Sequence, residues 1–273
     1  MLKNLVFGSS GLVGNEFYKL NKDKQKYFFF SNKNYFFKKL NLDKKINLNI
    51  NQNEFVNIFF FASPRFLEKN NKEKIIFSEY IWLKKVINHF NINKLIFLSS
   101  PSIYYKKSII GKIKKKCEKL ILSRKKKINY YQIWRPYNLV GTNNYLSDHF
   151  HNFAIKKIFI EKKKSFNFYG SEMDKRGYSS AAKFVKLLNN NSHKNCSFVI
   201  NYGNKDLIST KKIIEIYSKI NFKKYKRKFV ARFQSKKANI SVVNHRSNSI
   251  FNNEKSRILI KKHIVRVLNE KKM

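Results

Sequence analysis

Three glycines near the N-terminus have a spacing that suits a phosphate-binding turn. Gly8, Gly11 and Gly14 are three of only eight glycines among the 273 residues. They follow a short apolar run at 2–7 and precede a helical pattern at 15–20, so backbone N–H groups and a helix dipole would face an anion there. We predict that this turn holds the pyrophosphate of a dinucleotide through Gly8, Ser9, Ser10, Gly11, Leu12, Val13 and Gly14. The alternative is an ordinary strand–helix turn that binds nothing.

The end of the next apolar run bears on the choice of cofactor. An acidic residue at this place hydrogen-bonds the ribose of NAD, whereas a basic residue suits the 2′-phosphate of NADP. The run at 26–30 is followed by Ser31, Asn32 and Lys33, without an acid. Lys33 therefore predicts a slight preference for NADP over NAD, although in so lysine-rich a chain it also fits a solvated surface position.

Apolar runs and helical patterns alternate along the first half of the chain. Strands are predicted at 26–30, 37–42, 56–62, 94–98 and 129–134, and helices at 75–90 and 110–123. Such alternation favours an α/β fold with a Rossmann-like, doubly wound parallel sheet. Past residue 141 we expect helices at 148–162, 210–220 and 254–269, an extended piece at 166–169, a strand at 197–201 and a loop at 222–250. The predicted domains are a dinucleotide-binding domain at 1–141, to which 166–203 returns, and a small C-terminal substrate lobe at 142–165 and 204–273.

The net charge of +43, from 59 basic and 16 acidic residues, raises the question of a nucleic-acid partner. Only nine of the basic residues are arginine, the side chain of bidentate phosphate and base contacts, and the lysines are scattered along the whole chain. Joint enrichment in Lys, Asn, Ile, Phe and Tyr is expected from A/T-rich codons. We therefore predict no specific nucleic-acid partner, while the positive field would attract anionic ligands.

Several other classes of protein are not indicated. No apolar run approaches the ~20 residues of a membrane-spanning helix, so we expect no membrane insertion. The N-terminus has no charged leader followed by an apolar stretch, and Cys117 and Cys196 are too few for a disulfide framework. These features predict a cytoplasmic protein. The histidines lack metal-ligand spacing, so no metal is expected.

The chain resembles a known superfamily in a series of short segments. The spacing GxxGxxG resembles that of the short-chain dehydrogenases/reductases. Later segments resemble their extended branch, the NAD-dependent epimerase/dehydratase family: FFAS at 60–63, SSPSIY at 99–104, RPYNLVG at 135–141, FYG at 168–170 with RGY at 176–178, and VINYG at 199–203. The matches follow the family's order over about residues 1–220.

This resemblance implies an activity and assigns roles to residues. Members exchange hydride between a nicotinamide and a carbon of a nucleotide-activated sugar, here for a surface polysaccharide or glycoconjugate. Ser100 would polarise the sugar hydroxyl or carbonyl, and Lys114 would bind the nicotinamide ribose. Ala62 and Pro136 would lie beside the cofactor, and Asn138 and Arg176 would hold the substrate. Members often dimerise through helices that include the one carrying the lysine, so a homodimer is also implied.

One position departs from the family pattern. The family's YxxxK motif places a tyrosine one helical turn before the lysine. Here Gly111, Lys114 and Glu118 match the motif, but the tyrosine position is Ile110, which cannot exchange a proton. Either catalysis is lost, or Tyr105 or its neighbour Tyr104 supplies the hydroxyl, or the alignment is off by one turn.

Three functions therefore remain open. The first is an NAD(P)-dependent epimerase, dehydratase or reductase of a nucleotide sugar. The second is a non-catalytic protein that keeps dinucleotide binding and serves as a scaffold or sensor. The third is a basic nucleic-acid-binding protein on a Rossmann core.

Overall fold

The computed structural model describes residues 2–32, 37–48, 50, 54–64, 72–105, 107–141, 154–168, 171–225, 230–233, 240–241 and 248–270. The chain divides into two compact units, the first of residues 1–136 and 182–201 and the second of residues 137–181 and 202–273. The segment that returns to the first unit is therefore shorter than the 166–203 expected from the sequence, because 166–181 belong to the second unit.

The main sheet has eight strands in the order β15-β11-β6-β5-β4-β1-β2-β3. Their bounds are β1 Lys3–Phe7, β2 Tyr27–Ser31, β3 Lys38–Lys39, β4 Phe55–Phe60, β5 Asn91–Leu98, β6 Ile128–Pro136, β11 Phe198–Asn204 and β15 Ser249–Asn252. The neighbouring pairs from β3 to β6 are all parallel. This confirms the predicted Rossmann-like fold. Leu5 and Val6, successive residues of β1 that face opposite sides of the sheet, are both fully buried, as expected of a central parallel strand covered on both faces.

Four helices accompany this sheet: α1 Leu12–Asn21, α2 Lys72–His89, α3 Ile109–Ser123 and α4 Ala181–Ser192. Helix α4 has no counterpart among the predicted elements. Its apolar face is short, with Phe184 and Leu188 fully buried, and its last turn is rich in asparagine, which weakens the helical signal. Asn189 accepts a hydrogen bond from Asn21 at 3.1 Å, which ties α4 to α1.

The second unit contains short strands and two longer helices. Besides β15, its described strands are β7 Leu139–Val140, β8 Ser165–Phe168, β9 Lys175–Gly177, β10 Ser179–Ser180, β12 Leu207–Ser209, β13 Val230–Phe233 and β14 Ile240–Ser241; its longer helices are α5 Thr210–Tyr225 and α6 Ser256–Glu270. The core contains Ile213 and Tyr217 of α5 with Ile260 and Ile264 of α6.

Two predictions for this unit need correction. The expected loop at 222–250 contains the end of α5 and the strands β13 and β14, whose isolated short apolar stretches give no clear strand periodicity. Of the helix expected at 148–162, the described part is 154–162; residues 154–160 are helical, most of them with π-helical hydrogen bonding, and the helix ends before 161. Residues 148–153 lie outside the described residues. Within the described chain, no helix is long and apolar enough to cross a membrane.

Helix α6 buries a histidine, His263, which is 6% exposed. Burial, reinforced by the nearby Arg266, lowers the pKa of His263 from 6.5 to about 4. The folded state therefore keeps the imidazole neutral at pH values where the unfolded chain binds a proton.

We expect this difference to make folding acid-sensitive. The contribution of His263 to stability is complete above pH 6.5 and is lost as the pH falls towards 4, by about 3 kcal/mol in total. Denaturant unfolding of the wild type and of His263→Leu, followed from pH 8 to pH 4, measures it. The free-energy difference between the two proteins should move in favour of the variant by that amount. Parallel curves would contradict the prediction.

Candidate functional site

The glycine turn is a place where three backbone segments meet. Gly8 has a φ of +86°, in the left-handed region, and a Cβ on it would collide with the backbone of Phe61 and Ala62 at the end of β4. A Cβ on Gly14 would collide with the carbonyl oxygen of Gly8. These contacts require glycine at both positions and press the start of α1 against the turn.

The two serines of the turn have different surroundings. Ser9 is fully buried, and its hydroxyl donates to the carbonyl of Val6 at 3.1 Å. Ser10 accepts a hydrogen bond from the hydroxyl of Ser31, at the end of β2, at 2.8 Å. Ser9 thus stabilises the turn, whereas Ser10 links it to the neighbouring strand.

A cavity of about 440 Å³ opens beside this turn. Its walls come from the ends of β1, β2 and β4, from the segment 40–43 and from α2. Of the predicted cofactor-binding residues, those in the lining are Gly8, Ser10, Gly11 and Ala62. The others that are described lie outside it: Ser9, Leu12, Val13, Gly14, Lys114 and Pro136. Lys33 is not among the described residues.

The cavity also brings in two residues that sequence analysis did not single out. The indole N–H of Trp82, on α2, donates to the carboxylate of Asp43 at 2.7 Å, and both side chains line the cavity. Asp43 is the only charged side chain in its described lining. In the sequence, the alternating Leu40 and Leu42 indicate that the segment before Asp43 is partly buried. However, an aspartate followed by two lysines is more typical of a solvated surface than of a cavity wall.

Lys114 occupies a buried position behind this wall. Its ammonium lies 2.5 Å from Oε1 of Glu79 and donates to the carbonyl of Leu98 at 2.7 Å, and both charged residues are almost fully buried. The hydroxyl of Ser63, which lines the cavity, donates to Oε2 of the same glutamate at 3.0 Å. Lys114 is thus connected to the cavity through the Glu79 carboxylate.

Ile110 lies at the start of α3, partly buried and packed against the main core. A Cβ on Gly111, next to it, would collide with the carbonyl of Ser102, so the first turn of α3 packs directly on the 3-10 helix Pro101–Tyr104. Ser100 caps that short helix: its hydroxyl accepts from the N–H of Ser102 at 3.2 Å. The catalytic role of Ser100 stays a prediction.

Tyr104 and Tyr105 differ in their surroundings. Arg135 donates to the hydroxyl of Tyr104 at 2.7 Å, and that hydroxyl donates to Asn201 at 3.0 Å. Tyr105 is 46% exposed, and no hydrogen bond of its side chain is present among the described residues. Within the described residues, the Tyr104 hydroxyl is therefore hydrogen-bonded to other side chains, whereas the Tyr105 hydroxyl is not.

Arg135 also binds Glu118 on α3 with two hydrogen bonds, of 2.9 and 2.6 Å. Burial disfavours its charge, but the hydrogen bonds and attraction from Glu118 outweigh this and raise the pKa of Arg135. The other donor to Glu118 is the hydroxyl of Ser99, at 2.5 Å. This cluster fixes the end of β5, α3 and β6 to one another.

The predicted substrate residues Asn138 and Arg176 lie in the second unit. Asn138 has a φ of 33°, which asparagine tolerates better than most residues, and its side-chain amide donates to the carbonyl of Gly177 at 3.2 Å. Arg176 is half-buried on β9, directly before Gly177. The structure brings these two residues to adjoining backbone, whereas Ser100 belongs to the first unit.

The described residues contain no group of histidine, cysteine, aspartate or glutamate side chains that could hold a metal ion.

Comparison with known proteins finds solved structures of similar fold but no match in sequence. No family model matches the chain, and no curated protein sequence matches it. A UDP-galactose 4-epimerase superposes with a TM-score of 0.72 at 14% identity, over 99% of each chain. The UDP-glucuronic acid 4-epimerase of Bacillus cereus, in complex with NAD, gives 0.69 at 16% identity, over 97% of this chain and 99% of that one.

A third structure is a UDP-N-acetylglucosamine 4-epimerase from Methanobrevibacter ruminantium, in complex with UDP-N-acetylmuramic acid. It gives a TM-score of 0.71 at 13% identity, over 98% of this chain and 99% of that one. The chain has the fold of the nucleotide-sugar 4-epimerases. The fold implied by the segment resemblance is therefore confirmed over nearly the whole chain.

The glycine turn generates a prediction about the stability of the fold. Gly8→Ala should destabilise the protein by at least about 2 kcal/mol, because it combines a left-handed backbone with a collision against backbone atoms. Gly11→Ala is the matched control. Its φ is −75° and its new Cβ would meet only the Gly8 carbonyl, at 3.3 Å, so we expect a loss within about 1 kcal/mol. Denaturant unfolding measures both variants, and equal losses would contradict this account.

Proposed function

We propose that the first unit binds a nicotinamide dinucleotide in the cavity beside Gly8, and that the protein acts with it on a nucleotide-activated sugar. The observation that carries the proposal is the Gly8–Gly14 turn, which joins the end of β1 to the start of α1 and lines a cavity of about 440 Å³ with Gly8, Ser10 and Gly11. Backbone N–H groups at the start of a helix suit a pyrophosphate. The solved structures with this fold, one of them in complex with NAD, support the same assignment.

The finer parts of the proposal rest on the family resemblance. They are hydride exchange as in an epimerase, dehydratase or reductase, a place in making a surface polysaccharide or glycoconjugate, a cytoplasmic location and a homodimer. When bound, the dinucleotide supplies the hydride acceptor, and the protein's groups orient the reactants. Ser100 would polarise the sugar oxygen, and Asn138 and Arg176 would bind the nucleotide-sugar.

The charge of the cavity bears on the choice between NAD and NADP. Asp43 would repel a 2′-phosphate, and the described lining offers no cation to bind one. Lys33 supports the opposite choice. We propose NAD as the preferred cofactor, because the carboxylate of Asp43 is fixed on the cavity wall by Trp82.

Proton transfer cannot follow the family's usual route. Ile110 offers no proton, and the charge of Lys114 is compensated by Glu79. We propose that the exposed hydroxyl of Tyr105 replaces the missing tyrosine of the YxxxK motif as the proton-transfer group. The second candidate function is dinucleotide binding without turnover, which is favoured by the same buried ion pair and by the packing of Ile110 against the core.

Dinucleotide binding can be tested with the protein's own fluorescence. The chain has two tryptophans, of which Trp134 is fully buried and Trp82 lines the cavity. We expect NADH to quench tryptophan emission saturably by energy transfer, and to do so at lower concentration than NADPH. Trp82→Phe should remove most of the quenching, while Trp134→Phe should keep it. Absence of saturable binding by either dinucleotide would overturn the proposed function.

Turnover distinguishes the two candidate functions. NAD-loaded protein is incubated with UDP-glucose, UDP-glucuronic acid and UDP-N-acetylglucosamine, and the products and cofactor absorbance are followed. If the protein is an enzyme, Tyr105→Phe should lower kcat at least about a hundredfold, the usual contribution of an acid–base group. Tyr104→Phe, which loses a hydroxyl held by Arg135, serves as the control and should lose less. Saturable NADH binding with no turnover of any sugar would instead favour the non-catalytic function.

A further inference from the structure

Glu79 is a buried charged residue to which the proposed function assigns no contact with the ligand. It lies on α2, is 2% exposed, and is one of only 16 acidic residues in a chain of net charge +43. Its two carboxylate oxygens contact different elements: Oε1 pairs with Lys114 on α3, and Oε2 accepts from Ser63, just after β4. A carboxylate placed so deeply is costly unless both oxygens are satisfied, as they are here.

The carboxylate determines what Ser63 can offer to the cavity. An ionised carboxylate only accepts hydrogen bonds, so the single hydroxyl proton of Ser63 is directed at Glu79. The lone pairs of the Ser63 oxygen then remain for a donor in the cavity that Ser63 lines. Towards the cavity, the Ser63 hydroxyl can therefore only accept a hydrogen bond.

The same carboxylate compensates the charge of Lys114. An ammonium has three N–H donors, of which two are used by Glu79 and by the carbonyl of Leu98. The pair is neutral as a whole, so Lys114 can donate a hydrogen bond with little net charge.

We propose that Glu79 is a positioning residue of the dinucleotide site, which fixes Ser63 as an acceptor for a hydroxyl of the bound ligand and holds Lys114 charge-compensated behind it. The inference rests on the proposed dinucleotide binding. The ligand group that it predicts at Ser63 is a hydroxyl donor, such as a ribose hydroxyl.

Glu79→Gln reverses the polarity of this arrangement with little change of shape. The amide oxygen can still accept from Lys114, but the amide N–H₂ then faces Ser63 and donates to it. Ser63 must turn its proton towards the cavity and becomes a donor. We expect the Kd for NADH to rise about tenfold, the cost of one mismatched hydrogen bond.

The matched control is Glu54→Gln, which removes an exposed carboxylate that pairs with Lys3 at 2.6 Å, just before the start of β4. Its change of charge is identical, and its Kd for NADH should equal that of the wild type.

Ser63→Ala provides a second measurement that keeps both charged residues of the buried pair, although Oε2 of Glu79 loses the hydrogen bond from Ser63. Alone it should weaken NADH binding by about the same factor, because the acceptor is lost. In the Glu79→Gln background it should add almost nothing, because the acceptor is already lost there. A merely structural role of Glu79 would lower the melting temperature while leaving these affinities unchanged or additive.

The outcomes separate this inference from the proposal on which it rests. If the wild type binds no dinucleotide, the proposed function fails and the inference fails with it. If the wild type binds NADH but Ser63→Ala binds equally well, or if the two substitutions are additive, only the role of Glu79 is overturned. Non-additive losses in folded variants support it.

Discussion

The close approach of backbones around Gly8 is the constraint on which the first unit depends. The turn between β1 and α1 lies against the end of β4 without room for a single Cβ at Gly8 or Gly14. Because β1 is a central strand, paired with both β2 and β4, the same contact fixes the start of α1 over the sheet. It leaves the ends of these strands open to a cavity. Glycine therefore allows the close packing and also keeps the cavity, where we propose that the dinucleotide binds, free of a side chain at Gly8.

Helix α3 forms two ion pairs with neighbouring elements instead of one ion pair within the helix. Lys114 and Glu118 are spaced for an i,i+4 pair along the helix. Instead, Lys114 pairs with Glu79 on α2, and Glu118 pairs with Arg135 on β6. Each buried charge is compensated by a neighbouring element, so the pairs fix the helix on both sides. In this arrangement the ammonium of Lys114 faces a carboxylate of α2 rather than one of its own helix.

The sequence predicts the parts of the fold that repeat a simple pattern. The apolar runs of β4 and β5 and the glycine turn are local signals, and they were sufficient for the Rossmann-like sheet. Helix α4 was missed because its asparagines mask a short apolar face. Asp43 and Glu79 could not be identified, since their significance comes from Trp82, Ser63 and Lys114, which are distant in sequence. A lone acid among lysines looks solvated until its partners are known.

The strong positive charge of the chain makes its buried acids more informative. On the surface, a glutamate among 59 basic residues can pair with any nearby lysine and gains little from doing so. Inside the fold, Glu79 and Glu118 each face one specific cation and one serine hydroxyl, Ser63 and Ser99. Replacing Glu79 would leave the buried Lys114 uncompensated, and replacing Glu118 would do the same to the partly buried Arg135; either loss costs more than a lost surface pair. The specific partners of Glu79 and Glu118 therefore account for acids at these two positions, whereas codon bias accounts for the many lysines of the surface.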